Sequence, residues 1–302
     1  MFYTKWTIDP NKKAEIHPDV DIESYHNDYG SISSSWLKEG LKSMYKFLRY
    51  PFRDKEQRTD ASKIGTIVHT RILEPLKFSM QYHVLRKSDL PFPNSTMAKT
   101  ENKEYVKRIK DLGKEIIDSD LSANIDIMYN SIIANELLSR YLSMGKVEQS
   151  VYWNDAGTGL PMKTRPDLFV ELSNGTIVVL DIKTTESAYP NDFASSVARY
   201  NYPLQAAIQI DGIEAVTQKQ VSSYFYIAIE KSYPFEYCIY RLLPDDIAFG
   251  RSQYREVLGQ ILNCIQNDTW PMIGNSVIEK RMLTENKFGI VDLTLPQYYY
   301  MP

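Results

Sequence analysis

The spacing of apolar positions along this 302-residue chain changes near Lys146. Ahead of it they recur at helical period. Behind it they gather into short runs separated by Gly, Asn and Pro, the pattern of strands joined by tight turns. Residues 1–30 are polar and aperiodic and are expected to form an irregular arm. Ser33, Ser34 and Ser35 offer an N-cap to a single helix, with Trp36, Leu37, Leu41, Met44, Tyr45 and Leu48 as its apolar face and Pro51 as its end. A second helix is expected from Asp60 to Glu74, capped by Asp60 or Ser62 and stopped by Pro75. Residues 76–98 read as loop around a short strand at 82–86, and helices follow over 99–112 and 121–142.

Past Lys146, Val147–Trp153 predicts a strand that carries Glu148, Asn154–Gly159 a turn, and Leu160–Val170 the returning strand. Asn174-Gly175 is a hairpin signal, and Thr176–Lys183 makes the third strand. A helical stretch over 191–218, interrupted near Asn201-Tyr202-Pro203, leads to strands at 221–229 and 235–243, a helix over 245–266 and a Tyr-rich tail. This order predicts an α/β fold, a mixed central β-sheet flanked by helices with an N-terminal helical lobe. It is expected as one domain over 1–302: arm 1–30, mainly helical 31–145, sheet and helices 146–270, tail 271–302.

Composition narrows the class. A hydrophobic fraction of 43% and a charged fraction of 24% suit a soluble globular protein. No apolar run is long enough for a membrane span, and the first residues lack a signal-peptide core, so a cytoplasmic location is expected. The two cysteines, Cys238 and Cys264, cannot supply the four ligands of a typical iron–sulfur cluster, and none is expected. A net charge of −3 does not advertise nucleic-acid binding, which would need the basic residues gathered along one channel.

Candidate chemistry centres on Arg165-Pro166-Asp167 and, fourteen residues after Asp167, Asp181-Ile182-Lys183. Side chains alternate along a strand, so Asp181 and Lys183 share a face while Ile182 points to the core. Two carboxylates with an ammonium beside them suit a divalent ion, Mg²⁺ or Mn²⁺ by the hardness of oxygen ligands. The main-chain carbonyl of Ile182 is a further candidate ligand. Asp-x-Lys by itself also describes an edge salt bridge. Its hairpin link to Asp167 and the apolar run before it favour the metal site. Gly65 and His69 lie one turn apart on a helix face. The glycine costs roughly 1 kcal/mol there against alanine, which points to close approach of a backbone or ligand. His69 by itself reads as a satisfied core residue or a ligand. Lys38, Lys42 and Lys46, with Arg49, form a basic stripe on the single expected helix, either a solvated face or a phosphate-facing one.

Together these pieces resemble the PD-(D/E)XK nuclease superfamily, and within it the RecB-like and exodeoxyribonuclease VIII (RecE) branch. The resemblance rests on Gly65-Thr66-Ile67-Val68-His69, Leu73-Glu74-Pro75, Glu148, Lys163-Thr164-Arg165-Pro166-Asp167, Leu180 to Thr185, and Tyr202-Pro203-Leu204-Gln205. They occur in the family's order over roughly residues 30–230. It implies His69, Asp167, Asp181 and the Ile182 carbonyl as metal ligands, Lys183 as catalytic lysine, and Gln205 as a residue that contacts DNA or supports the site. Glu148 is either an acid near the metal or a surface strand residue. Position 209, where relatives often place tyrosine, holds Gln209, so an aromatic role there is lost. The residues expected to face DNA are Ser35, Lys38, Lys42, Lys46, Arg165, Gln205 and Gln209.

The branch includes viral and prophage exonucleases that degrade the 5′ strand of linear duplex DNA and pass the other strand to a single-strand annealing protein, some as rings. This implies a phage or prophage origin, activity in a bacterial cytoplasm, duplex ends as substrate, an annealing protein as partner and a ring-shaped homo-oligomer. The alternatives are a RecB-like repair nuclease of other polarity or endonucleolytic action, and an inactive DNA-binding module on the same fold.

Overall fold

The protein is described from a computed structural model that covers residues 14–53 and 60–272. The Tyr-rich tail and the start of the arm lie outside the described residues. The rest of the arm is regular. β1 (Glu15–His17) pairs antiparallel with Ser150–Tyr152. α1 (Ile22–Asn27) is capped by Asp21, whose carboxylate accepts from the Ser24 N–H at 2.8 Å.

The helix expected up to Pro51 is two helices, α2 (Ser34–Lys42) and α3 (Met44–Arg49). Ser43 separates them with an extended backbone (φ −170°, ψ 152°). Its hydroxyl accepts from the Lys46 N–H at 3.0 Å, a cap that competes with helix continuation. The break ends the phase that would have aligned Lys38, Lys42, Lys46 and Arg49.

α4 (Asp60–Leu73) and α5 (Pro75–Gln81) follow, with Pro75 opening the second at a position where its missing N–H costs nothing. β2 (Tyr82–Leu85) lies parallel to a strand the sequence did not reveal. The chain passes through α6 (Thr100–Asp111) to reach that strand, β3 (Glu115–Asp118). The helix expected over 121–142 is likewise two, α7 (Ser119–Ala134) and α8 (Glu136–Met144), divided at Asn135, whose side chain caps the second.

The three strands expected after Lys146 are divided between two sheets. β4 (Lys146–Val147) and β5 (Ser150–Asn154) enter different sheets, with Glu148 between them at φ +50°. The returning strand also divides, into β6 (Pro161–Thr164) and β7 (Leu168–Glu171), at Arg165–Asp167. β8 (Ile177–Thr185) is followed by α9 (Pro190–Arg199), α10 (Tyr202–Thr217), β9 (Val221–Glu230), β10 (Tyr237–Arg241) and α11 (Pro244–Asn267).

The main sheet runs β10-β9-β8-β7-β4, mixed because β8 and β9 are parallel and joined through α9 and α10. β1, β5 and β6 form a second sheet. Alternation on β8 splits the core. Val178, Leu180 and Ile182 pack with Ile67, Val68, Met128 and Ile132 of α4 and α7, whereas Ile177 and Val179 pack with Ala206, Ile210 and Ile213 of α10. A third cluster joins α2, α3 and α11 to the second sheet, so the N-terminal helices are packed into the body.

α11 fixes where α10 begins. A Cβ on Gly250 would lie 2.2 Å from the carbonyl oxygen of Pro203 and 2.6 Å from the nitrogen of Leu204. Both are backbone atoms, which no rotamer change relieves. Gly250→Ala is expected to destabilise the fold by about 3 kcal/mol, seen as a lower urea midpoint at constant m. An unchanged midpoint would show that the two helices separate freely.

Candidate active site

Five elements meet at the end of β8. β7 pairs with β8 only as far as Leu168 opposite Leu180. Two residues further along β8, the backbone of Ile182 faces the edge that β7 has left. Its N–H donates to Asp167 Oδ2 at 2.7 Å, and its carbonyl lies 2.6 Å from His69 Nε2. One residue thereby aligns a carboxylate from the approach to β7 with an imidazole from α4. α4 can come this close because Gly65 faces β8: a Cβ there would meet Thr184 Oγ1 at 3.0 Å. Arg71, bonded to Asp126 at 3.0 Å, ties α4 to α7.

Glu148 completes the group. Its left-handed backbone costs roughly 1–2 kcal/mol in a non-glycine residue. Its carboxylate joins His69 and Asp167 with one ligand atom from each within 4.8 Å of the others. On the α10 face Asp181 is fully buried, ion-paired to Lys183 through Oδ2, and accepts from Gln205 Nε2 at 3.2 Å through Oδ1. Glu148, Ile182 and Lys183 line a cleft of about 1090 Å³, walled by α1, the first turn of α2 and α4.

A family model described as "PDDEXK-like domain of unknown function (DUF3799)" matches residues 33–279. The chain belongs to that family. It is therefore a member of the PD-(D/E)XK nuclease superfamily. A crystal structure from Eubacterium rectale, described as a "Putative exonuclease", aligns over 93% of this chain and 98% of its own at 12% identity and a TM-score of 0.57, which supports the fold. A second, of SSO0001, aligns over 75% of this chain and 84% of its own at 15% identity with a TM-score of 0.29, and carries no argument. No curated protein matches.

The electrostatics of this PD-(D/E)XK site fit a divalent cation. Burial, then the Asp181 charge, holds Asp167 well above the ordinary carboxylate range. Burial, then Asp167, raises Glu148 to about 7. Burial lowers His69, which favours the neutral imidazole a metal ligand must be. Burial presses the Lys183 ammonium down, but the charges of Asp181 and Asp167 more than offset it and hold its pKa up. Acids that press one another toward protonation, grouped with a neutral imidazole and a backbone carbonyl, form a donor set that a hard divalent ion would neutralise.

Several expectations are corrected. Arg165 borders the cleft, but its guanidinium is turned to the protein. Its side chain is only 8% exposed, and it donates to Glu148 Oε2 at 2.8 Å, to the Val20 carbonyl at 2.8 Å and to Ser150 Oγ at 2.7 Å. Gln209 is buried and accepts from the Tyr224 hydroxyl at 2.6 Å, so it cannot contact DNA. Lys42 and Lys46 are exposed outside the cleft, Lys42 paired with Glu39 at 2.6 Å. Ser35 does line the cleft. Lys38 stays close to the site, where burial and the Lys183 charge lower its pKa to about 8. Asp181 lies beside the three-residue cluster, with its oxygens turned to Lys183 and Gln205.

Sequence reasoning missed the clamp made by Lys163 and Arg165, for which two cations at i and i+2 were the available signal. Lys163 holds the carbonyls of Tyr25 and Asp28 while Arg165 holds Val20, so the two cations fasten both flanks of α1.

Arg165→Met leaves the half-buried Glu148 carboxylate without its cation, and a loss of about 3 kcal/mol of stability is expected, measured by thermal or urea unfolding. An unchanged unfolding transition together with weakened DNA binding would return Arg165 to a DNA-facing role.

Proposed function

We propose that the protein is a Mg²⁺-dependent deoxyribonuclease, with Mn²⁺ able to substitute, that degrades the 5′ strand of linear duplex DNA and leaves single strands for annealing-type recombination. The observation that carries the reading is the His69, Glu148 and Asp167 cluster beside the Asp181–Lys183 pair, with His69, Glu148 and Lys183 lining one cleft. The description of the Eubacterium rectale structure as a "Putative exonuclease" supports the mode of attack. The duplex end as substrate, a single-strand annealing partner, a ring-shaped assembly and action in a bacterial cytoplasm follow from the resemblance to the RecE branch. Among the described residues no helix is long and apolar enough to cross a membrane.

His69, Glu148, Asp167 and the Ile182 carbonyl would hold a divalent ion, with Asp181 beside them. Such an ion supplies charge neutralisation at the phosphate and an activated water. Lys183, kept protonated by the carboxylates around it, orients the attacking water and donates to the phosphate oxygen on which charge builds. Gln205 fixes the Asp181 carboxylate through its amide, which in turn sets the position of the Lys183 ammonium. Ser35 at the cleft wall and Lys38 beside Lys183 meet the DNA backbone.

Asp181→Asn is expected to abolish Mg²⁺-dependent degradation of linear duplex DNA with the fold intact by circular dichroism. Lys183→Ala is expected to lower kcat by about 10²–10⁴-fold. Wild-type rates in either variant would remove these residues from the chemistry. Linear DNA labelled separately at its 5′ and 3′ ends, run beside a closed circle, tests the mode: early release of the 5′ label from linear DNA alone is expected. Early 3′ release reverses the polarity, and cleavage of the circle makes the enzyme an endonuclease.

A further inference from the structure

We propose that Lys38, Tyr202 and Tyr200 form a nucleotide subsite beside Lys183, which holds one unpaired nucleotide of the substrate strand by its phosphate and its base. The proposal rests on the nuclease reading and adds what the cleft grips next to the bond it cuts.

Both tyrosines sit where α9 gives way to α10. The Lys183 ammonium lies 4.9 Å from the centre of the Tyr202 ring, and the Lys38 ammonium, arriving from α2, lies 5.7 Å from the same ring. Tyr200 stacks on Tyr202 with ring centres 5.7 Å apart and planes 24° from parallel. Tyr200 is 52% exposed, and the Arg199 guanidinium stands 5.8 Å from its ring. A row of cation, ring, ring and cation therefore leads from the catalytic lysine to the surface.

Two features of the row call for a ligand. Lys183 has its carboxylate, but among the described residues no carboxylate forms an ion pair with Lys38, which shares the Tyr202 ring with the Lys183 ammonium. Two ammonium groups beside one ring repel each other, and an anion that reaches Lys38 relieves the repulsion. A phosphodiester next to the scissile one is such an anion. Tyr200, in turn, offers solvent an aromatic ring already held by a stack behind it. A nucleobase covers such a ring without regard to sequence. It must be unpaired, because a base inside a duplex is stacked on both sides. Cations at both ends of the row favour a polyanion over an apolar protein segment as the occupant.

The test uses the full chain with Ca²⁺ in place of Mg²⁺, a single-stranded oligothymidylate, and an abasic oligonucleotide of the same length. Tyr200→Trp places a fluorophore in the row. Oligothymidylate should quench its added emission saturably, and the abasic strand should not. Tyr200→Ala should weaken oligothymidylate binding about tenfold, while Tyr200→Phe keeps it. Lys38→Gln should reduce the slope of log affinity against log salt by about 0.7. Equal emission changes with both strands, wild-type affinity in Tyr200→Ala, an unchanged salt slope in Lys38→Gln, or no oligothymidylate binding by the wild type overturns the subsite. Any of these with intact hydrolysis by the wild-type protein in Mg²⁺ leaves the nuclease reading standing. Tight binding with no hydrolysis in Mg²⁺ or Mn²⁺ overturns that reading instead.

Discussion

A carboxylate with no solvent exposure, Asp181, sits in the middle strand of the main sheet, and much of the molecule is arranged to accommodate it. An isolated charge so placed costs several kcal/mol, recovered only by close and well-directed partners. Lys183 is such a partner by strand geometry alone, two residues on and on the same face. The Gln205 amide is another, and it reaches Asp181 only because α10 starts where it does. That start is set by backbone contact between Pro203 and Gly250 of α11. Sheet, crossover helix and C-terminal helix are thus coupled through one acid.

On the other side of β8 the organising atoms belong to the backbone. Once β7 leaves the ladder, the N–H and C=O of Ile182 need partners, since unpaired buried backbone groups are costly. Asp167 takes the first and His69 meets the second. The early end of one strand pairing therefore creates the opening in which ligands from α4 and the approach to β7 meet. Glu148 reaches the same opening by a strained turn between two sheets, and Arg165 holds it there while fastening the wall formed by α1. Local strain at a carboxylate of this kind persists only where surrounding contacts enforce it.

The long helices were legible where the apolar period was unbroken, as in α4 and α11. The pattern failed at Ser43 and Asn135, where a polar side chain caps the next helix and divides a continuous apolar face. It failed again at Glu148 and at Arg165–Asp167, where one apparent strand passes from one sheet to another. These are places where a local hydrogen bond or a distant contact overrides periodicity. The basic stripe fell with the helix that was to carry it. Only Lys38, nearest the α2 N-terminus, keeps a place beside the site.

By itself the sequence determined that Asp181 and Lys183 share a face of an apolar strand, that a hairpin brings Asp167 to that strand, and that Gly65 and His69 lie on one side of a helix. Alternation, turn chemistry and helical period fix those relations within a few residues. Tertiary structure decided which atoms meet. It drew Glu148 into the cluster, turned Arg165 inward, buried Gln209 against Tyr224, and stacked Tyr200 and Tyr202 in line with Lys183. The physical reason is that each of these depends on where separate elements cross. Those crossings are set by the packing of whole faces and by close backbone approaches at glycines, which residue spacing along the chain does not encode.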